Sequence, residues 1–250
     1  MRDAFSIYDT HTHLGVSRHS GCSLSLDQLL ALMDRHGVDR SLLIPFPVVE
    51  DHRAAHNEIG RAVRSHPDRL AGAVSLYPYM AEADFRQEVR RCVEEFGFRA
   101  LKFQPQYHPL NPISSRSDFL FATAQEHGLP VICHTGAGVP YALPSLYIIP
   151  ARKFPQLPIV LAHAGGGLYV SEAIVAATVC PNICIELSTL TPHQIFQVLE
   201  HVPSSRLMIG SDLPECVEAE LSKILNLDIP ASDKQDILWN TAHAIFDGGR

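Results

Sequence analysis

Two histidines one residue apart, His11 and His13, stand where the apolar run that begins at Phe5 gives out. At alternate positions of a strand, side chains point to one face, so two such imidazoles can converge on one divalent cation. The pair alone is weak evidence, since 14 histidines in 250 residues give roughly 0.8 such pairs by chance. A strand end with two satisfied polar residues explains it equally well. The signal lies in recurrence. His134 follows Pro130-Val131-Ile132-Cys133, His163 follows Ile159-Val160-Leu161-Ala162, and Asp212 follows Leu207-Met208-Ile209-Gly210-Ser211. Each is a metal-capable or proton-capable group placed where a short aliphatic run stops.

Lys102, in Leu101-Lys102-Phe103-Gln104-Pro105, ends another such run. It could serve as a rim cation, as the binder of a substrate carboxylate or, if carbamylated, as a bridge between two metals. Anion binding is favoured, because nothing in the sequence demands a second metal. The remaining histidines read as structural. His19, His36, His66, His127, His193 and His201 fall on polar or helix-like stretches and are expected in solvent. His52 and His56 share a helix face at a possible ligand spacing, but without a His-Glu-x-x-His context they are assigned to an exposed face. His108, in the loop 104–112, is expected to line the pocket.

Groups at the ends of several runs need a frame that brings those ends together. Strand-like runs occur at Phe5–Asp9, Ser41–Ile44, Ala71–Leu76, Ala100–Phe103, Val131–His134, Ile159–Ala162, Ile183–Leu187 and Leu207–Ile209. Between them lie helix-like segments at Ser25–His36, Ala54–Ser65, Ala83–Phe96, Asp118–His127, Ser145–Phe154, Leu168–Val179, Pro192–His201 and Glu215–Leu225. Ser25 and Asp118 read as N-caps, and Gly37, Gly97 and Gly128 as helix stops. Eight alternations predict a parallel α/β sheet closed into a (β/α)8 TIM barrel, whose site lies at the carboxyl ends of the strands. The stretch Ser232–Phe246 predicts an extra C-terminal helix. An open doubly wound sheet would want a glycine-rich phosphate loop after the first strand. Gly15 and Gly21 do not make that fingerprint.

A length of 250 residues and a hydrophobic fraction of 46% suit one barrel-sized domain, residues 1–250. A net charge of −7 argues against a nucleic-acid partner, which needs a basic face. Six cysteines without C-x-x-C spacing read as reduced thiols, and Cys180 with Cys184 lacks the partners of a metal site. Neither a secretory leader nor a bilayer-spanning run is expected, so the expected setting is cytoplasmic, with a small-molecule substrate and no membrane partner. A homodimer is compatible with the sequence, which does not fix the assembly.

Taken in order, Asp9-Thr10-His11-Thr12-His13, Leu101-Lys102-Phe103, His134-Thr135-Gly136, Leu161-Ala162-His163-Ala164-Gly165-Gly166, Gly210-Ser211-Asp212-Leu213-Pro214 and Asn240-Thr241-Ala242 resemble the amidohydrolase superfamily. The likeness is closest to the branch holding amidohydrolase-related hydrolases and enzymes like aminocarboxymuconate-semialdehyde decarboxylase. It implies that His11, His13, His134 and Asp212 bind one divalent metal, zinc or another such as manganese. It also implies that His163 moves protons, that Asp212 acts both on the metal and in catalysis, and that metal-bound water has its pKa brought toward ~7. TatD-type deoxyribonucleases share the opening His-x-His but resemble a different later pattern, with a glutamate at the fourth strand where this chain has Lys102.

The resemblance leaves two reactions open. A hydrolase would attack an ester, lactone or amide carbonyl, and a non-oxidative decarboxylase would protonate carbon as carbon dioxide leaves. Arg18, with Lys102 and Arg53, is a thin carboxylate clamp, so hydrolysis is the first expectation for so compact a chain. A barrel that merely binds a metal or ligand is disfavoured by the proton-transfer pair His163 and Asp212.

Overall fold

The computed structural model describes residues 5–136 and 141–248. Eight parallel strands run β1 (Tyr8–Val16), β3 (Arg40–Pro45), β4 (Leu70–Ser75), β5 (Ala100–Phe103), β6 (Val131–His134), β7 (Ile159–Ala162), β8 (Ile183–Glu186) and β9 (Leu207–Met208). A two-residue strand, β2 (Ser23–Leu24), folds back antiparallel on Gly15 and Val16. The hydrogen-bonded order is β2-β1-β3-β4-β5-β6-β7-β8-β9. The two ends of that order then meet. Thr10 donates its amide to the Ile209 carbonyl at 3.1 Å, and Asp212 donates to His11 at 2.7 Å. Thr12 bridges Asp212 in parallel, so the stretch after β9 seals the barrel against β1.

Helices fill the connections: α1 (Leu26–His36), α2 (His52–Ser65), α3 (Glu82–Phe96), α4 (Asp118–Glu126), α5 (Ile148–Lys153), α6 (Val170–Val179), α7 (Pro192–Leu199) and α8 (Val217–Leu225). Local chemistry sets their ends. Ser25 and Gln28 form a reciprocal capping box at the start of α1, and Gly37 closes it in the left-handed conformation. No described helix is long and apolar enough to cross a membrane.

Alternation along the strands divides the apolar residues into two layers. Leu42, Ile44, Ala71, Ala73, Ala100, Ile132, Val160, Ala162, Cys184 and Met208 fill the barrel interior with Tyr8. Leu43, Leu101, Phe103, Val131, Cys133, Ile159, Leu161, Ile183 and Ile185 face the helices. By the same parity Lys102, His134 and Glu186 point inward. The register of β1 against β3 shifts between Asp9 and Thr12. That irregularity lets Tyr8 face the interior while His11 and His13 also turn toward it.

The expected C-terminal helix is three helical pieces in sequence: α9 (Ala231–Gln235), a π-turn at Asp236–Asn240, and α10 (Thr241–Phe246). They pack across the amino-terminal end of the barrel, with Tyr8 against Trp239 at 5.8 Å and Phe246 at 6.2 Å. Three other expectations shift. β1 runs on through the histidines to Val16, because pairing with β3 continues to Pro45. The helix expected from Ser145 opens as a 3-10 turn at Pro144–Tyr147. The helix expected from Leu168 starts at Val170, because a run of left-handed residues, His163 to Gly167, comes first.

Candidate metal centre and active site

At the carboxyl end of the barrel, His11 Nε2 and His13 Nε2 each lie 3.3 Å from the same atom, Asp212 Oδ1. The far nitrogens fix the proton positions. His13 Nδ1 donates to the Pro45 carbonyl at 3.2 Å, and the ring stacks on Phe46. His11 Nδ1 faces the Glu186 carboxylate at 3.3 Å. Each ring therefore turns its other nitrogen, Nε2, toward the same carboxylate oxygen. A cation placed among these three atoms would be in reach of all of them. Burial, then the nearby Lys102, holds His11 well below the usual imidazole range, so its ring is neutral. Burial pushes Asp212 up, but His11, His163 and His13 outweigh it and keep the carboxyl ionised.

The donor set fits a divalent metal. Two neutral imidazoles with outer nitrogens anchored on a carboxylate and a carbonyl, beside one carboxylate, is the arrangement that orients metal ligands. Their ligand atoms lie within 4.8 Å of one another, and adjacent ligands at ~2.0–2.2 Å from an ion are spaced comparably. His134 stands beside this cluster, its ring 4.8 Å from that of His163. Among the described residues its nitrogens do not join the tight donor group.

His163 is positioned from behind. Ser188 Oγ donates to Glu186 Oε2 at 2.9 Å, so it accepts from His163 Nδ1 at 2.7 Å. The proton stays on Nδ1 and the Nε2 lone pair is free. Glu186 also accepts from the His163 amide, and its carboxylate contacts both His163 and His11. Burial, then His11, holds the His163 ring down at about 4, so it is neutral at pH 7. His163 and Asp212 both adopt left-handed backbone, φ 67° and 63°. Such strain costs about 1–3 kcal/mol per residue and persists where the surroundings over-determine it. Gly210 is what lets the elements close: a Cβ there would come within 2.6 Å of His11 Cβ and 2.9 Å of the Glu186 carboxylate.

Glu186, Ser188 and Asp9 were not among the residues the sequence singled out. Asp9 accepts from the Ser211 hydroxyl at 2.6 Å and amide at 2.9 Å, which fastens the Asp212 segment to β1. Glu186 carried a readable signal, a charged residue at an inward position of an otherwise apolar barrel strand. Lys102 departs from expectation. It is fully buried, and its Nζ lies 2.8 Å from His11 Nε2. It does not line the cavity above the cluster. Burial lowers its pKa to about 8, against the pull of Asp212 and Glu186. The other expected clamp residues are also engaged: Arg18 pairs with Glu50, and Arg53 with Glu88.

Above the cluster lies a cavity of about 180 Å³, lined by His13, His134 and Asp212 together with Phe46, Gln104 and Tyr107. Among the described residues no arginine or lysine lines it. His108 stands away from it, beside His52 and Tyr77. His56, expected on an exposed face, is fully buried with Nδ1 2.9 Å from Glu88. His36, expected in solvent, is buried too.

The amidohydrolase family model matches residues 8–248. The chain belongs to the amidohydrolase family. No curated protein matches its sequence. Solved structures share the fold at low identity. A 5-carboxyvanillate decarboxylase from Novosphingobium aromaticivorans, complexed with manganese, has a TM-score of 0.80 at 16% identity, covering 97% of this chain and 96% of its own. A 2,6-dihydroxybenzoate decarboxylase from Rhizobium has a TM-score of 0.77 at 15% identity, with 97% and 98% covered. A dihydroxybenzoic acid decarboxylase from Polaromonas, with manganese and 2-nitroresorcinol, has a TM-score of 0.77 at 16% identity and 98% of each chain covered. This amidohydrolase barrel is thus shared across nearly the full length of each.

Proposed function

We propose that this amidohydrolase is a metal-dependent, non-oxidative decarboxylase of a small hydroxylated aromatic acid. The observation that carries the reading is the cavity. At about 180 Å³ it is smaller than the ~300–1,000 Å³ of pockets for drug-sized ligands, which suits a single ring. Phe46 and Tyr107 offer aromatic walls, and among the described residues no lysine or arginine lines the cavity. The fold neighbours with printed activities act on such acids, which supports the reading. The first expectation, hydrolysis of an ester, lactone or amide, gives way to it. TatD-type nuclease activity is not proposed.

In this reading His11, His13, His134 and Asp212 would hold one manganese or zinc ion, which would supply positive charge for the substrate's carboxylate. His134, whose ring lies 4.8 Å from that of His163, would complete the set. The carbon–carboxylate bond breaks to release carbon dioxide, and its electron pair takes one proton at the ring carbon. Asp212, the carboxylic side chain that lines the cavity, delivers that proton. His163, its Nδ1 proton held on Ser188, takes a proton from solvent at Nε2 and passes it to the Asp212 carboxylate before that delivery. Lys102 balances charge at His11 and does not touch substrate.

The test is turnover of manganese-loaded protein in deuterium oxide with a panel of hydroxybenzoates, carboxyvanillate and simple lactones. Carbon dioxide release matched by one deuterium on the former carboxyl-bearing carbon is expected. Lactone opening without release of carbon dioxide from any acid would overturn the reading in favour of hydrolysis.

A further inference from the structure

Gln104, at the end of the fourth strand of the barrel, is 5% exposed and lines the cavity beside His13, His134 and Asp212. Its backbone carbonyl is used, accepting from the amides of Tyr107 and His108. Its side-chain oxygen is not. Oε1 is buried without a hydrogen-bond partner. A buried carboxamide oxygen left without a donor is costly unless something supplies one. Some of the other polar side chains in the wall already have partners. Ser17 accepts from the Ser20 amide, Ser20 from the Cys22 amide, and His13 is held by Pro45.

We infer that Gln104 is the specificity residue of the cavity, reading a ring hydroxyl of the substrate that points away from the metal-facing carboxylate. This rests on the decarboxylase reading for the class of ligand. A phenolic hydroxyl both donates and accepts, so it satisfies either end of the carboxamide. A methoxy group or hydrogen at that ring position satisfies less, and the buried amide oxygen then stays unpaired. A site built to pair with a hydroxyl discriminates sharply against an analogue lacking it. Neither Asp212 nor His163 supplies this selection, because both are held within the metal-facing cluster.

The experiment is calorimetric binding of 2-hydroxybenzoate and of each dihydroxybenzoate isomer carrying one more hydroxyl. The proteins are manganese-loaded wild type, Gln104→Met and Gln104→Leu. Manganese content and Tm identify which variant is folded, and either suffices. In wild type one isomer is expected to bind at least ~10-fold tighter than 2-hydroxybenzoate, and in the folded variant that preference is expected to shrink below ~3-fold. Affinity for 2-hydroxybenzoate itself is expected to change far less, which a merely structural loss would not produce. An unchanged preference in a folded variant overturns the role of Gln104 even if the enzyme decarboxylates. Selective binding lost in the variant, without turnover in wild type, upholds Gln104 and removes the decarboxylase reading. Failure of wild type to bind any of these acids overturns both.

Discussion

Two buried clusters in this barrel combine histidine with carboxylate, and only one is built to act. Between α2 and α3, His56 gives Nδ1 to Glu88 and accepts the Ser75 amide on Nε2. Glu88 is in turn gripped by both Arg91 nitrogens and by Arg53. Cys92 completes a group with metal-ligand spacing. Yet every polar atom there has an opposite partner, and the arginines supply the positive charge. At the barrel mouth, His11 and His13 turn acceptor nitrogens onto one Asp212 oxygen, and Asp212 and His163 sit on strained backbone. Spacing alone does not separate the clusters. What separates them is that two imidazole nitrogens converge on one carboxylate oxygen at the mouth, and that strained backbone is maintained there.

The largest contrast should come from the mouth. His163→Asn is expected to lower kcat by ~10²–10⁴ with metal content unchanged. Asp212→Asn should lower it further and also weaken metal retention, because that residue serves both purposes. If His163→Asn strips the metal instead, His163 is a ligand and the division of roles fails. In the helix-side cluster the expected effect falls on stability. Glu88→Gln leaves Arg91 and His56 without their carboxylate, and breaking a buried charge pair costs about 3–5 kcal/mol. For a chain of this size about 3 kcal/mol lowers Tm by roughly 6–12 °C, with metal content and kcat retained. Loss of metal from this variant would erase the distinction drawn between the clusters.

A smaller effect concerns pH. Burial, then His52, holds His108 down at about 4 from the ordinary 6.5. Between those values the unfolded chain binds a proton that the folded chain does not. The contribution of the neutral ring is therefore full above pH 6.5 and is lost as pH falls toward 4. Differential scanning calorimetry should show Tm dropping through that window, and His108→Gln should flatten part of the slope. An identical slope in the variant would remove His108 from the acid response. The smallest effect is expected at Lys102. Its ammonium competes with a metal for His11 Nε2, so Lys102→Met should tighten manganese binding by roughly 5-fold, about 1 kcal/mol. Weaker binding, or loss of a second metal, would point to a carbamylated bridge instead.

The strand ends were legible because each apolar run is short and stops at a polar group, so the circle of His11, His13, His134, His163 and Asp212 could be read in order. The shift of register in β1 was not, because no glycine or proline marks it. Glu186 was passed over inside an apolar run, although a carboxylate at an inward barrel position needs partners and finds His11, His163 and Ser188. His56 was misplaced on an exposed face. Yet with Ile59 and Gly60 it forms an i, i+3, i+4 stripe, and Gly60 abuts Phe96 so closely that a Cβ would lie 2.4 Å from that ring. Sequence spacing identified possible ligands, but only packing decides which nitrogens are already taken.

The measurement that bears most directly on the metal-centre claim is manganese titration of metal-free protein by calorimetry, run on wild type, His13→Ala and Glu88→Gln. One equivalent bound by wild type and by Glu88→Gln, and none by His13→Ala, is the result predicted. Binding that survives His13→Ala and disappears in Glu88→Gln would contradict the account, placing the metal between the helices and leaving the barrel mouth without its cation.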